Sequence, residues 1–482
     1  MQSGNIQMGG GGKGLQLAGI TLLILCAAVF IGYLTAQQLK AGEGFVAGLV
    51  GGTLVIACMI NPTAGLTINL VYSFTAFHLS RWLTNDTFPV GVVSDTLIFA
   101  TFFGYIFRKA PLRPTVQSFF QSPVVLCFLV YLGFGLLEAF NLNARSFAGW
   151  FLGMRKMAGT YALLFVAYEV FKDKTQVRRF LRVVFYGCVV LGLYGCAQQV
   201  VGLFGFERNW VMEDPLRFGL IYINGEFRKF SMLSDPTQYG MLMAACSLFF
   251  LIMSMTEQGW KAWRLRLGTV PMLLGMLYSG TRTANFMLVA GLGFFVLLTI
   301  DRKASKIVAV LGAVALALVL YLPIYGNNTI NRFRSTFQGS QDQSFLVREM
   351  NRHYIQPYIW SHPIGGGLCT TGNAGIQYNP GHYLAGFPTD DDYLLKALET
   401  GWIGLGLLCV LYFLVLRTGI RAYFRTKDPR DKFLAAGCTA VIFSYYVASY
   451  TQLALGSISD IVIYYPFIAI LIRLNESGQP SS

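Results

Sequence analysis

The chain has 482 residues, of which 54% are hydrophobic and 12% are charged, and its mean hydropathy is +0.53. Soluble domains carry about 25% charged residues, so this composition excludes a soluble globular protein and indicates a membrane protein. The formal net charge of +14 is distributed in basic clusters between apolar runs, a pattern that orients membrane proteins and argues against nucleic-acid binding.

Apolar runs long enough to cross a hydrocarbon core of about 30 Å recur along the chain, without the two-residue alternation of a membrane β-strand. The sequence therefore predicts an all-α, polytopic membrane protein with about 12 to 14 transmembrane helices in one domain, 1–482. The first span is expected to be a retained signal anchor, because its apolar run is too long for a cleaved signal peptide. The predicted spans are 15–36, 44–60, 65–83, 90–107, 122–140, 154–171, 182–204, 236–255, 267–280, 283–300, 306–325, 393–416, 433–455 and 458–473.

Basic residues cluster between these spans and mark cytoplasmic loops by the positive-inside rule. The clusters lie at 108–113, 172–182, 261–266, 302–306 and 417–432. Counting spans from the clusters places both termini in the cytoplasm. The polar segment 326–392, which we call the insert, then forms one large outward-facing loop. Long polar loops on a rigid scaffold commonly carry function, so the insert is predicted to cover the active site.

Arg282 lies in the turn 278–283 between two short apolar runs. An arginine in hydrocarbon costs about 2.5–3.5 kcal/mol, so it faces a polar cavity or extends to the headgroups. We favour the cavity, where the forked guanidinium suits a phosphate group.

Arg348 and Arg352 are four residues apart in a predicted helix of the insert, which places them on one face without an acidic neighbour there. Two such arginines repel each other unless an anion bridges them, although a solvated helix would also tolerate the pair. The pattern does not decide between these interpretations.

The glycine run 365–367 has neither the lysine nor the strand and helix context of a phosphate-binding loop. We therefore interpret it as a turn in which the backbone approaches a neighbour closely.

Asp390, Asp391 and Asp392 precede a predicted helix, where one or two carboxylates suffice for capping. Crowding of three like charges favours proton uptake by one of them, which suits a general base. A Mg²⁺ or Ca²⁺ site is the competing interpretation. Asp235 before Pro236 is explained by a helix start. No metal-ligand spacing appears among the cysteines, and no cofactor is predicted.

The order of these motifs resembles the bacterial O-antigen ligase and O-antigen polymerase superfamily. That family has a proline at a helix start, a turn with an arginine, an outward loop with an arginine and a Pro-x-x-Gly-x-Gly run, and a closing segment before Glu-x-Gly-x-x-Gly. The matching stretches are 235–237, 278–282, Arg348, 363–367, 390–394 and 399–404.

The resemblance implies an inverting, metal-independent glycosyltransferase of the bacterial inner membrane with a polyprenyl-diphosphate-linked glycan as donor. It implies that Arg282 and Arg348 bind the diphosphate, and it places Asp390 where ligases carry a histidine base and Asp391 where an asparagine is usual. Either aspartate could then act as the catalytic base. Secondary site candidates are Arg228, Arg352, His353, Asp235 and Glu399, with His362 and His382 as reserve bases.

The preferred function is polymerisation of lipid-linked repeat units for O-antigen or exopolysaccharide. The alternatives are a ligase that transfers a finished glycan to a lipid core, a transporter or flippase, and a structural subunit of an envelope complex. Expected partners are the polyprenyl-diphosphate-linked oligosaccharide, membrane lipid and, by family analogy, a chain-length regulator.

Overall fold

The computed structural model describes residues 39–108, 113–223, 225–321, 328–335 and 343–477. These residues are almost entirely helical, with one two-stranded antiparallel hairpin, β1 (Tyr222–Ile223) and β2 (Glu226–Phe227). The helices are α1 (Leu39–Ile60), α2 (Pro62–Thr84), α3 (Val90–Arg108), α4 (Arg113–Gln121), α5 (Pro123–Leu137), α6 (Phe147–Val170), α7 (Lys174–Val201), α8 (Gly205–Glu213), α9 (Pro215–Ile221), α10 (Pro236–Ser254), α11 (Gly259–Tyr278), α12 (Arg282–Leu298), α13 (Lys303–Tyr321), α14 (Asn328–Ser335), α15 (Gln343–Ser361), α16 (Gly372–Tyr378), α17 (Asp392–Arg425), α18 (Pro429–Ala448) and α19 (Ile458–Ser477).

The predicted span 15–36 lies outside the described residues, and each of the other predicted spans coincides with a helix. Six helices of the described part are long and apolar enough to cross a membrane: α3, α5, α7, α10, α17 and α19. The all-α, polytopic membrane fold is therefore confirmed. The chain divides into two compact units, residues 1–57 and 58–482, and the candidate site lies in the second. The prediction of one domain for the whole chain stays a prediction.

Helix α10 is the centre of the bundle, because 83% of its apolar window is buried. It packs against α11, α12 and α18, and its side chains Tyr239 and Phe249 are fully buried in the main hydrophobic core. The helix begins at Asp235, whose Oδ1 accepts hydrogen bonds from the backbone amides of Thr237 and Gln238. A cap of this kind followed by proline fixes the start of the helix. The end of the bundle at which α10 begins holds the site.

Helix α17 is broken at Gly401, whose φ of 64° and ψ of −175° are not helical. The glycine run of the insert fits into this break. The amides of Gly366 and Gly367 donate to the carbonyls of Leu398 and Glu399 at 2.8 and 2.9 Å, and the amide of Ile403 donates to Pro363 O at 3.2 Å. A broken helix in a membrane protein needs new partners for its backbone groups, and the insert supplies them. The close backbone approach predicted for this run is present.

Candidate functional site

The three adjacent aspartates have separate environments. Asp391 caps α17, since its Oδ1 accepts from the amide of Leu394 at 2.7 Å and its Oδ2 accepts from Arg352 at 2.9 Å. Asp392 turns into the bundle, where its Oδ2 accepts from Ser449 Oγ at 2.9 Å and from the amide of Ala454 at 2.8 Å. Both side chains are buried and both are committed to holding the structure.

Asp390 differs from its two neighbours because 44% of its side chain is exposed. Its Oδ2 lies 3.6 Å from Arg348 Nε, which is an ion-pair distance but too long for a hydrogen bond. Arg348 Nε is buried and has no hydrogen-bond partner among the described residues. This pair therefore keeps a carboxylate and an uncommitted guanidinium donor side by side, a combination that can take a proton and hold an anion.

Asp390 lines a cavity of about 980 Å³ that is bounded by the helices of the bundle and by the insert. Much of the wall is apolar, including Ile98, Phe128 and Ile468. The charged side chains of the wall lie before or within the first three turns of α3, α6, α10 and α17; they are Asp95, Arg155, Lys156, Asp235, Asp390, Asp392, Lys396 and Glu399. The cavity therefore combines a charged end with hydrocarbon walls, which is the arrangement expected for an amphipathic ligand.

Four of these charged residues were not identified from the sequence. Arg155 forms an ion pair with Asp95, with 2.9 Å between Nε and Oδ2, and Lys156 and Lys396 also face the cavity. All four lie within predicted apolar spans. A charge in hydrocarbon is as costly at these four positions as at Arg282, so the same criterion identifies them from the sequence.

The loop 449–457 between α18 and α19 joins the elements around the cavity. Tyr450 O accepts from Arg352 at 2.6 Å, and Leu453 O accepts from Gln238 on α10 at 3.2 Å. The hydroxyls of Thr451 and Thr283 lie 3.0 Å apart, which ties the start of α12 to the same loop. The residue next to Arg282 is thereby held at the end of the bundle that carries Asp235 and Asp390.

Three arginines surround the turn 279–281. Arg282 is the first residue of α12, Arg228 donates to Ser279 O at 2.9 Å and to Thr281 Oγ1 at 2.8 Å, and Arg332 of the insert donates to Ile223 O at 3.0 Å. Burial, together with the charges of Arg332 and Arg282, lowers the pKa of Arg228 to about 10, although the charge of Asp235 acts in the opposite direction. We call Arg228, Arg282 and Arg332 the arginine group. Burial and neighbouring cations lower the pKa of both Arg228 and Arg332, and an anion bound between such cations would relieve their repulsion.

The arginine group and the cavity are neighbours but not the same site. Arg282 and Arg348 do not belong to the described residues that line the cavity, whereas Asp235 does and also interacts electrostatically with Arg228. Asp235 therefore lies between the two. Arg332 was not singled out from the sequence, because neither its place in the insert nor its contact with the hairpin could be read from the pattern.

The remaining candidates are engaged elsewhere. His353 is largely exposed and pairs with Glu349 at 3.5 Å, and His362 stacks on Tyr358 with ring centroids 3.9 Å apart. The ring nitrogen Nδ1 of His382 accepts from the amide of Leu384 at 3.1 Å. None of these histidines is among the cavity-lining residues in the described part of the chain.

Glu399 is buried and lines the cavity, and its Oε1 accepts from Thr371 Oγ1 at 3.1 Å. Arg352 holds Asp391 from the insert. Burial opposes its charge, but the hydrogen bond and charge of Asp391 outweigh this and raise the pKa of Arg352. Both residues hold other parts of the site in place.

Residues 267–409 match the family profile described as O-antigen ligase. The matched region runs from α11 into α17 and includes Arg282, Arg348 and the three aspartates. No curated protein matches the chain. The match bears out the resemblance to the O-antigen ligase and polymerase superfamily over this region, and the apolar helices indicate a multi-pass membrane protein.

Proposed function

We propose, with the O-antigen ligase match across residues 267–409 as the premise, that this protein polymerises polyprenyl-diphosphate-linked oligosaccharide repeat units on the periplasmic face of the bacterial inner membrane. The product would be an O-antigen or an exopolysaccharide. The observation that supports the proposal best is the accessible carboxylate of Asp390, which lies in an amphipathic cavity beside an uncommitted arginine.

In the proposed reaction, Asp390 accepts the proton from a hydroxyl of the acceptor sugar. The hydroxyl oxygen attacks the anomeric carbon of the donor as the bond from that carbon to the diphosphate oxygen breaks on the opposite face. The diphosphate leaves with the bonding electron pair, and the configuration at the carbon inverts. Cationic donors preorganised around the leaving group stabilise this charge as it develops.

Asp390 is a better candidate for the base than Asp391. The carboxylate of Asp391 is 3% exposed and already accepts from Leu394 N and Arg352, so binding an acceptor hydroxyl would require both bonds to break. Asp390 needs no such rearrangement, because its only close charged partner among the described residues is Arg348 at 3.6 Å. A general base must reach the proton that it removes, and geometry therefore favours Asp390.

The diphosphate is assigned to Arg282 and Arg348, with Arg228 and Arg332 in support. The interaction of Asp235 with Arg228 places the arginine group next to the cavity, and the buried Arg348 Nε lies beside Asp390 on the insert. A leaving group between these cations would be neutralised from two sides. The apolar wall of the cavity offers a path for the polyprenyl chain.

A ligase is the second candidate, because the matched profile carries that description. The carboxylate at the position of the ligase histidine favours the polymerase instead. A polymerase would also be expected to work with a chain-length regulator, by analogy with the family.

The experiment is a transfer assay with purified full-length protein in lipid nanodiscs and a polyprenyl diphosphate oligosaccharide. Longer lipid-linked products together with released polyprenyl diphosphate are expected for the polymerase. Transfer of the glycan to an added core lipid alone would replace the proposal with the ligase. The same protein is also reconstituted into sealed vesicles, where movement of the substrate across the membrane without new glycosidic bonds would replace the proposal with a transporter.

A further inference from the structure

Helix α15 (Gln343–Ser361) of the insert has an exposed apolar face. Leu346, Val347, Met350, Tyr354 and Trp360 are between 49% and 72% exposed. Leu346, Met350 and Tyr354 follow one another at four-residue spacing, Val347 is adjacent to Leu346, and Trp360 is four turns from Leu346. These five residues, which we call the apolar stripe, therefore lie on one side of the helix, where the exposed His353 also lies.

The opposite face of α15 is directed to the site. Ile355 is buried in a cluster with Leu394 and Leu398 of α17, and Arg348 and Arg352 of this face pair with Asp390 and Asp391. The apolar stripe therefore takes no part in the packing of α15 against the protein. It is a second hydrophobic face that points away from the protein.

The middle of α15 and the residues just after its carboxyl end contact the bundle. Near its middle, Arg352 donates to Tyr450 O, just past the end of α18 at Ala448. Beyond its last residue, Pro363 O accepts from the amide of Ile403, which lies in the apolar span of α17 next to the half-exposed Trp402. The carboxyl end of α15 is thus fixed beside a tryptophan of a membrane-spanning helix.

We propose that the apolar stripe of α15 docks onto the lipid surface of the outer leaflet, so that the insert is anchored in the membrane interface beside α17. Two observations select lipid as the occupant. The residues just after α15 are joined to the apolar span of α17 by the bond from Ile403 to Pro363, beside the half-exposed Trp402, and the stripe itself carries the tyrosine and tryptophan that membrane interfaces favour.

This docking would fix the orientation of α15 about its own axis. Because Arg348 and Arg352 lie on the opposite face of the same helix, the lipid surface would hold both arginines towards the aspartates. The inference concerns where the insert lies and does not depend on the reaction proposed above.

The test is tryptophan fluorescence quenching in nanodiscs of brominated phosphatidylcholine, with the full-length protein and its Trp360→Phe variant. The chain has seven tryptophans, so the difference between the two proteins isolates Trp360. Bromines near the headgroup end of the acyl chains are expected to remove most of the Trp360 signal, and aqueous iodide is expected to remove little. The matched variant Trp402→Phe supplies a reference from a membrane-spanning helix.

Quenching of Trp360 by iodide but not by the brominated lipid would overturn the proposal. Protection from both quenchers, with the protein running as a dimer or larger assembly, would also overturn it and would assign the stripe to a second copy. Quenching by lipid that disappears when polyprenyl phosphate is added would assign the stripe to the substrate tail instead. These outcomes are measured without turnover, so they are independent of whether the transfer assay succeeds.

Discussion

Two parts of the insert meet the same helix, α17, in contrasting ways. Residues 363–367, which contain the glycine run, are held by backbone bonds into the break at Gly401, whereas Asp391 and Asp392 are held by their side chains at the helix start. In the first part the backbone bonds of Pro363, Gly366 and Gly367 complete the broken helix. In the second, two carboxylates are committed and Asp390 is left accessible. The comparison teaches that motif residues close in sequence to a site divide into those that build it and those that remain available for chemistry.

The largest effect is expected at the glycine run. A Cβ at Gly365 would fall on the backbone of Glu399 and Gly401, and its φ of +75° is unfavourable for alanine. Gly365→Ala should cost more than about 4 kcal/mol and remove most folded protein from the membrane. The measurement is monodisperse yield and melting temperature by fluorescence-detected size exclusion. Gly406→Ala is the matched control on the same helix, because nothing lies within 4 Å of its Cβ, and it should melt like the parent.

A normally folded and fully active Gly365→Ala variant would contradict the view that this run repairs the broken helix. The glycines would then be explained by the close approach of a ligand to their backbone instead.

The second effect separates Asp390 from Asp391. Asp390→Asn should lower turnover by about 10²–10⁴-fold, the usual contribution of a general base, without changing the melting temperature. Asp391→Asn should keep the cap but lose the charge opposite Arg352, and it should lower stability by about 1–3 kcal/mol. Transfer rate and melting temperature of the two variants are measured side by side, with Asp301→Asn in an exposed loop as control. Full activity of Asp390→Asn with an inactive, stable Asp391→Asn would exchange the two roles.

The third effect tests which arginines bind the leaving group. Loss of a hydrogen bond to a charged group costs about 1.5–3 kcal/mol, so Arg282→Gln and Arg348→Gln should each lower kcat/KM by roughly 10–150-fold. Arg282→Lys should lose less activity than Arg282→Gln, because lysine keeps the positive charge but not the two parallel hydrogen bonds of a guanidinium. Arg334 of the insert, which donates to Val319 O, is the control. Equal losses for Arg334→Gln would show that the effect is structural.

Much of the fold could be predicted from the sequence, because apolar runs of spanning length are a strong and local signal. Each predicted span within the described residues coincides with a helix. The break at Gly401 could not be predicted, since an isolated glycine in an apolar run gives no sign that a loop from residues 363–367 enters there. That contact depends on chain segments more than thirty residues apart, which a local pattern does not join.

The site was partly predicted for a similar reason. Asp390, Asp235 and Glu399 were identified and do line one cavity, while Lys396 and Arg155 were passed over. The division of labour among 390–392 depends on Ser449 and Ala454, far away in the chain, and so could only be seen in three dimensions. Arg228 and Arg332 meet at the turn 279–281 through the hairpin and the insert, whose placement no spacing rule gives.

The smallest effect is a loss of stability at acid pH caused by His382, which lies against Gly366 of the glycine run; residues 363–367 are called the glycine part. Burial lowers the pKa of His382, and the charges of Arg145 and His362 lower it further. The folded protein therefore holds this ring neutral at pH values where the unfolded chain is already protonated. Stability should be unaffected well above the ordinary histidine pKa of 6.5 and should fall as the pH drops below it.

The measurement is the melting temperature as a function of pH for the parent and for His382→Asn, which keeps an acceptor near the amide of Leu384 but does not titrate. The variant should show a flatter profile below pH 6.5, and the difference between the profiles should be small, since a single partly buried group is involved. His353→Asn is the control, because that side chain is exposed and pairs with its own helix neighbour Glu349. Identical profiles for the parent and His382→Asn would move the acid sensitivity away from the glycine part, and a flatter profile in His353→Asn would assign it to the outer face of α15 instead.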